Sequence, residues 1–263
     1  MKKIIHLSDL HIGYSPKNLE NRFHVIVNNI ITQQQPAQDF VILITGDLVE
    51  RATNHASHDI AKEQIKKLES SGFRVLVVPG NHDYGNGVIG SVRYMKKFKR
   101  MFYGDEKFQF PKLDFIDTIA FIGLDSMEEE LNTFDKLGAN GEVGPAQRER
   151  LDLLLTQEDV KRADFRVVYW HHHPFDPWFL HELKDANELG EVLQKHGNVD
   201  AILFGHNHNF KNWNGKWGIQ RCYDAGSSTR KEDLESYVRV IDLSLLPRGG
   251  DEVDLALTKD VFV

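Results

Sequence analysis

The sequence lacks the features that mark secreted and membrane-spanning proteins. A single cysteine, Cys222, stands among 263 residues, so the chain can form neither an internal disulfide nor a cysteine-based zinc site. No segment approaches the roughly 18 apolar residues of a membrane-spanning helix. The N-terminal Met-Lys-Lys is followed by too short an apolar run for a signal peptide. These absences predict a cytoplasmic protein without a membrane span.

Positive charge is also in short supply. The chain has 32 lysine and arginine residues against 39 acidic residues, a net charge of -7. This balance disfavours nucleic acids and anionic membranes as partners. One basic stretch, between Arg93 and Arg100, is interpreted as the solvated face of an amphipathic helix. The alternative is that it binds a second phosphate or a nucleic acid strand.

Short apolar runs alternate with longer amphipathic stretches. The runs are rich in Val, Ile, Leu and Phe and are short enough to be strands buried on both faces, whereas the longer stretches predict helices. The predicted strands are Lys3–Leu7, Phe40–Ile44, Arg74–Val78, Ile119–Leu124, Phe165–Trp170 and Asp200–Phe204. The predicted helices are Asn21–Gln34, Asp59–Ser70, Gly90–Phe102, Pro145–Thr156 and Asn187–Lys195.

From Asn209 onward the pattern predicts an antiparallel meander. Its strands would be Lys211–Trp213, Lys216–Tyr223, Tyr237–Leu243 and Val253–Leu257, with Asn214-Gly215 as a hairpin turn. The chain has no internal repeat, low-complexity segment or linker-like stretch. Residues 1–263 are therefore predicted to form one α/β domain.

Polar residues that can bind metal follow five of the predicted core strands. Ligand sites in open α/β sheets form beyond the carboxyl ends of the strands, so these residues are expected to meet. Each group alone is a weak signal, because an Asp-x-His or a Gly-Asp is commonplace. The five groups are Asp9-Leu10-His11, Gly46-Asp47, Gly80-Asn81-His82-Asp83, His171-His172-His173-Pro174 and Gly205-His206-Asn207-His208.

Taken together, the five groups point to metal ions. A buried cluster of carboxylates, one amide and several imidazoles is costly to desolvate without a counter-charge, and divalent cations remove that cost. Imidazole and carboxylate ligands suit Mn, Fe, Zn or Co. Seven ligands are too many for one tetrahedral zinc but suit two ions that share a bridging carboxylate.

The ordered set resembles the signature of the calcineurin-like metallophosphoesterases. All five groups occur in the family order between residues 9 and 208. The resemblance implies a four-layer αββα sandwich with mixed sheets and a metal-dependent phosphoesterase. It also implies ligand roles: Asp9, His11 and His208 for one metal, Asn81, His172 and His206 for the other, and Asp47 as the bridge.

The triple histidine leaves an ambiguity in that assignment. The family pattern has a ligand histidine two residues before a proline, which selects His172 ahead of Pro174. His171 and His173 would then point elsewhere, because neighbours on an extended segment face opposite ways. We expect supporting or packing roles for both.

The same resemblance gives an expected mechanism. Two adjacent metal ions activate a bridging water to hydroxide and offset charge on the phosphoryl oxygens. By analogy with the family's GNH(D/E) motif, His82 would donate a proton to the leaving oxygen, and Asp83 would orient its imidazole. The alternative is that His82 only binds a phosphoryl oxygen.

The substrate is expected to be a small phosphodiester. The stretch from Gly141 to Leu151 and the triple histidine before Pro174 resemble the class III cyclic nucleotide phosphodiesterases and glycerophosphodiesterases. The alternatives are a phosphomonoesterase or nucleotidase on the same metals, and a metal-dependent nuclease. Asn207 is well placed to touch substrate. The aromatic residues Phe175, Trp178 and Phe179 would stack on a base or serve local packing.

Overall fold

The computed structural model describes residues 2–14, 19–127, 129–131, 139–176, 181–229, 238–243 and 254–257. Its strands form two five-stranded mixed sheets. They are β1 (Lys3–Leu7), β2 (Phe40–Thr45), β3 (Arg74–Val78), β4 (Lys112–Ile116), β5 (Ile119–Gly123), β6 (Phe165–Tyr169), β7 (Ala201–Phe204), β8 (Arg221–Asp224), β9 (Val238–Asp242) and β10 (Asp254–Leu257).

Helices separate most of the strands. They are α1 (Leu19–Thr32), α2 (His55–Ser70), α3 (Asn81–Tyr84), α4 (Val92–Tyr103), α5 (Pro145–Leu155), α6 (Glu158–Arg162) and α7 (Ala186–His196), with short 3-10 turns at Ala37–Asp39 and Lys216–Gly218. The described part of the chain contains no helix of the length and apolarity that a membrane crossing requires.

Each sheet is parallel at its centre. The first has the order β10-β9-β1-β2-β3, in which β1, β2 and β3 are parallel and β9 and β10 run antiparallel. The second has the order β4-β5-β6-β7-β8, in which only β4 is antiparallel. Because the central strands of each sheet are parallel, their carboxyl ends lie at one edge.

Three apolar cores hold the layers together. Successive residues of a strand point to opposite faces, so Ile42 and Ile44 pack against the helices α1 and α2, whereas Val41 and Leu43 pack against the second sheet. On the far side, the outer face of the second sheet packs against α5 and α7. The result is the αββα order of layers that the sequence predicts.

The predicted meander is partly wrong. The strand β8 pairs in parallel with β7 rather than antiparallel with its neighbours in the chain. Only one bridge, between Asn212 and Tyr223, remains of the predicted hairpin. Positive φ angles at Gly215, Trp217 and Gly218 (82°, 52° and 71°) turn the intervening chain out of the extended conformation. The strands β9 and β10 are antiparallel, as predicted.

The sequence pattern misses several short elements, among them β4 and α6. The strand β4 carries Lys112 and Asp114 and is largely half-buried, so it lacks the apolar run of a central strand. The helix α6 is only five residues long, too short to show a helical period. Neither element contributes to the edge where the polar groups gather.

Candidate metal centre

The loops that follow β1, β2, β3, β6 and β7 meet at one edge of the two sheets. Backbone hydrogen bonds tie them together: Asp9 N–H donates to the Gly46 carbonyl at 3.1 Å, and His11 N–H to the Asp47 carbonyl at 3.0 Å. The carboxylate of Asp9 accepts from His206 N–H at 3.0 Å. The predicted site residues from distant parts of the sequence are thus held side by side.

The backbone at this edge is strained. Seven described residues other than glycine have a positive φ, and five of them are predicted metal ligands: Asp9, His11, Asp47, His206 and His208, with φ between 44° and 81°. Each such conformation costs on the order of 1–3 kcal/mol and persists only where its surroundings fix it. This concentration of strain is typical of a functional site.

One cluster joins Asp9, His11 and His208. The Nε2 atoms of the two histidines lie 3.1 Å apart. Asp9 Oδ1 lies 3.4 Å from His208 Nε2 and 3.9 Å from His11 Nε2. These donor atoms converge on one point from two loops, those after β1 and β7, in the grouping that the family resemblance implies for the first metal.

A second cluster surrounds the Nε2 atom of His171. Asn81 Oδ1 lies 2.9 Å from it, His206 Nδ1 lies 3.1 Å from it, and Asp47 Oδ2 lies 3.4 Å from it. The same Asp47 oxygen lies 3.8 Å from His11 Nε2 in the first cluster. Asp47 therefore stands between the two clusters, where a bridging ligand must stand.

The structure brings His171, not the predicted His172, to Asn81 and Asp47. His171 Nδ1–H donates to the Thr45 carbonyl at 2.7 Å, which turns Nε2 towards the cluster. His172 Nδ1 instead pairs with Ser126 Oγ at 2.8 Å, although its ring remains 4.5 Å from that of His206. Counting back from Pro174 therefore selects the neighbour of the histidine that faces Asn81 and Asp47, and all of His171, His172 and His206 lie close enough together to hold a metal ion.

His173 faces away from both clusters, as the sequence predicts. Its Nδ1 accepts from the backbone N–H groups of Phe175 and Asp176 at 3.1 and 3.0 Å. Its Nε2 lies 3.6 Å from the buried carboxylate of Asp224. His173 therefore fixes the loop that follows the triple histidine.

The two clusters fit divalent cations. Buried polar atoms are normally hydrogen-bonded, yet Asp9 Oδ1 in the first cluster has no hydrogen-bond partner among the described residues. Imidazole nitrogens also face one another at 3.1 Å in each cluster. Metal ions satisfy such lone pairs, and the donor set of imidazole, carboxylate and amide suits first-row transition metals.

The carboxylate of Asp47 governs the electrostatics. Burial opposes its ionisation, but His171 and His82 outweigh burial and hold its pKa well below the usual range. Burial likewise disfavours a charged His171, but Asp47 outweighs it and raises the pKa of His171 to about 9. Burial lowers the pKa of His11 to about 4, with Glu50 opposing the shift.

His82 lies at the wall of the site, and its predicted contact with Asp83 is replaced by another. His82 Nδ1–H donates to the Glu50 carbonyl at 2.7 Å, while its backbone N–H donates to Asp47 Oδ1 at 2.9 Å. The carboxylate of Asp83 accepts from the backbone of Gly80 and Val49 at 2.9 and 3.3 Å. Asp83 thus shapes the loop, and the Glu50 carbonyl orients the imidazole.

Glu50 is a residue that the sequence analysis missed. Its Oε2 lies 3.0 Å from His11 Nδ1, the nitrogen that points away from the cluster. Histidines that bind metals commonly give their second nitrogen to a carboxylate, which fixes the ring. The signal was present in the sequence, because Glu50 follows Asp47 by three residues.

A cavity of about 430 Å³ opens over the clusters. Its volume is that of a small-molecule site. Asn207 lines it, as expected, and Asp176 and His181 are additions that the sequence analysis missed. The described lining residues are His11, Asp47, Asn81, His82, Ala139, Asp176, His181, His206, Asn207, His208 and Asn209.

Two other predicted features lie apart from the cavity. Phe175 packs against Phe204, Trp213 and Trp217, with ring centroids 4.8 to 5.9 Å apart, so it serves local packing. Trp178 and Phe179 lie outside the described residues. The basic residues of α4 are not among the described residues that line the cavity.

Known proteins share this sequence pattern and fold. A probable cyclic nucleotide phosphodiesterase from Vesicomyosocius okutanii is 24% identical over 210 residues, 78% of each chain. The 3',5'-cyclic adenosine monophosphate phosphodiesterase CpdA of Haemophilus influenzae is 27% identical over 227 residues, 81% of this chain and 73% of the relative.

Among solved structures, a dimetal phosphatase from Danio rerio has the same fold. Its TM-score is 0.67 at 14% identity, and the match covers 92% of each chain. The family model of the calcineurin-like phosphoesterases matches residues 2–210, which include both clusters. The chain therefore belongs to the calcineurin-like phosphoesterase family and is a metal-dependent phosphoesterase.

Proposed function

We propose that this protein hydrolyses small phosphodiesters, with cyclic nucleotides as the first candidates, on two metal ions. The observation that carries the proposal is the pair of clusters sharing Asp47 beneath one cavity of about 430 Å³. Asp9, His11 and His208 would hold one ion. Asn81, His171 and His206 would hold the other, with Asp47 between them.

The metals and the protein's own groups have separate tasks. Two such ions, when bound, lower the pKa of water and offset negative charge on the phosphoryl oxygens. Mn, Fe, Zn and Co all suit this donor set. Glu50 and the Thr45 carbonyl hold the rings of His11 and His171 in place. Asn207, between two ligands, contributes an amide to the cavity.

His82 is proposed to donate the proton that the leaving oxygen needs. Because Nδ1–H donates to the Glu50 carbonyl, Nε2 is the nitrogen left for substrate. The transferred proton would come from Nε2 of the doubly protonated ring. Gly87 leaves room there, since a Cβ on it would lie 2.4 Å from His82 Nε2.

The substrate class rests on the relatives and on the cavity. Relatives that match about four fifths of this chain are named cyclic nucleotide phosphodiesterases. The stretch that resembles that branch forms the start of α5, where Gln147 bonds to the backbone of Asp125 and Val143. The exposed lysines and arginines of α4 are not among the described cavity-lining residues, which favours a small substrate over a nucleic acid strand.

Two further proposals concern the whole chain. We infer that residues 1–263 form one domain, because the central core draws side chains from both sheets. We also infer a cytoplasmic location, because a chain with a single cysteine, Cys222, forms no internal disulfide that would need an oxidising compartment.

A panel of substrates tests the activity directly. We expect the protein loaded with Mn, Fe, Zn or Co to hydrolyse bis-p-nitrophenyl phosphate and 2',3'- or 3',5'-cyclic nucleotides faster than p-nitrophenyl phosphate. Glycerophosphodiesters complete the panel. D47A should abolish both hydrolysis and metal binding, whereas D159A, which removes an exposed carboxylate, should change neither. Absence of hydrolysis with all four metals would refute the proposal.

Metal content distinguishes the two candidate histidines. We expect H171A to lose about one metal ion per chain, because the Nε2 atom of His171 is the one that faces Asn81 and Asp47. H172A should retain both ions, because the Nδ1 atom of His172 in the wild type pairs with Ser126 Oγ. Metal analysis by mass spectrometry after gel filtration gives the stoichiometry. A full complement in H171A and a loss in H172A would restore His172 as the ligand.

The dependence on the leaving group tests His82. H82N should keep both metals and lose about 100-fold in kcat with a poor alkoxide leaving group, in line with the usual contribution of a general acid. The loss should be smallest with p-nitrophenolate, which leaves without a proton. The kcat values for the two leaving groups are measured on diesters that carry the same second, non-leaving ester group. Equal losses for both leaving groups would remove the acid role and leave His82 as a phosphoryl-binding residue.

Metal uptake should depend on pH. The pKa of His171 is raised to about 9 without metal, so below that pH the ring carries a proton that a metal must displace. Affinity should therefore rise with pH, by up to about tenfold per unit between pH 7 and 8.5 for one proton released. Calorimetric titration with Mn²⁺ in buffers of different ionisation enthalpy counts the protons. A flat profile across this interval would contradict the expectation.

A further inference from the structure

Asp176 places a carboxylate in the cavity that is not part of either metal cluster. It follows the triple histidine and Pro174 and is half-buried. Besides Asp47, it is the acidic residue among the described residues that line the cavity, and none of those residues is a lysine or an arginine. A negative charge is an unexpected feature in a site for phosphate esters.

Asp176 is held at its carboxylate and at its backbone. Asn207, which lies between His206 and His208, donates from Nδ2 to Asp176 Oδ2 at 2.9 Å. The backbone N–H of Asp176 donates to His173 Nδ1 at 3.0 Å, and the His173 ring is buried against Phe204 and Trp213. Asp176 is therefore positioned by the same loops that carry the metal-binding histidines.

Phosphodiesters and phosphomonoesters differ in charge near neutral pH. A diester carries one negative charge, whereas a monoester carries up to two. A fixed carboxylate in the same cavity weakens binding of each added negative charge on the substrate. A repulsion of about 1.4 kcal/mol corresponds to roughly tenfold in affinity. Metal ions attract both kinds of substrate, but the carboxylate repels the monoester more strongly.

We propose that Asp176 is a specificity-determining residue that favours phosphodiesters over phosphomonoesters by repelling the second negative charge. The inference rests on the proposed function, because it presumes that phosphate esters bind in this cavity. Beyond the proposed function, it names the residue that discriminates between diesters and monoesters and gives electrostatic repulsion as the physical reason.

If Asp176 had only a structural role, it would act by holding Asn207 in place. Two variants of Asp176 distinguish this role from an effect of its negative charge. D176N removes the charge and keeps an oxygen that can accept from Asn207 Nδ2. D176A removes both the charge and the acceptor. D159N removes one negative charge from an exposed position on α6 and serves as the matched control.

The test compares two substrates with one leaving group. p-Nitrophenyl phosphate and methyl p-nitrophenyl phosphate differ by one methyl group and one charge. We expect D176N to raise the ratio of kcat/KM for monoester over diester about tenfold, with D159N leaving the ratio unchanged. D176A should raise the ratio similarly and lower both rates, because the tether to Asn207 is lost. A D176N ratio within twofold of the wild type overturns the proposal.

A binding measurement separates this inference from the proposed function. Inorganic phosphate and dimethyl phosphate are titrated calorimetrically into the metal-loaded protein at pH 8. D176N should tighten phosphate binding about tenfold more than it tightens dimethyl phosphate binding, because phosphate carries one more negative charge; equal changes for both ligands overturn the inference. If the wild type binds phosphate in this way but hydrolyses no ester, the proposed function fails and the charge selectivity of Asp176 stands.

Discussion

The buried carboxylate of Asp47 is the charge around which the site is arranged. Ring nitrogens of His171, His11 and His82 lie 3.4, 3.8 and 4.0 Å from its Oδ2 atom, and a backbone N–H holds its Oδ1 atom. Gly80 makes this approach possible, since a Cβ there would lie 2.2 Å from Asp47 Oδ1. A buried anion of this kind is stable only with positive charge beside it, which protons or metal ions supply.

The strained backbone follows from the need to bring several side chains to the buried Asp47 carboxylate. To point at Asp47 from separate strands, the loops must turn sharply within one or two residues of each strand end. Asp9, Asp47 and His206 adopt positive φ angles of 53°, 52° and 81° to do so. The apolar cores on either side of both sheets hold the strand ends still, and the backbone hydrogen bonds between loops keep the strained conformations in place.

Sequence patterns predicted the parts of this structure that local chemistry determines. The buried central strands are continuous apolar runs, and these runs predict β1 and β3 with their observed ends. The polar residues after them could be assigned to one site because parallel strands share an edge. The pairing of β8 with β7 could not be predicted, because an apolar run does not specify its neighbour. Asp176 belongs to no motif, and only the folded chain brings it to Asn207.

The triple histidine shows that the role of a residue depends on where its side chain points more than on its spacing from Pro174 in the sequence. Three adjacent rings diverge: His171 turns to Asn81 and Asp47, His172 to Ser126, and His173 to Asp224. Hydrogen bonds fix the orientations of the His171 and His173 rings. The Thr45 carbonyl aims His171 at the clusters, while His173 accepts two backbone N–H groups and so sets the path of the next loop. One short segment thereby fixes the proposed ligand His171 on one side and the backbone of Asp176 on the other. The proposed metal binding and the proposed selection of substrate charge therefore depend on the same turn of chain, and a change in its register would alter both together.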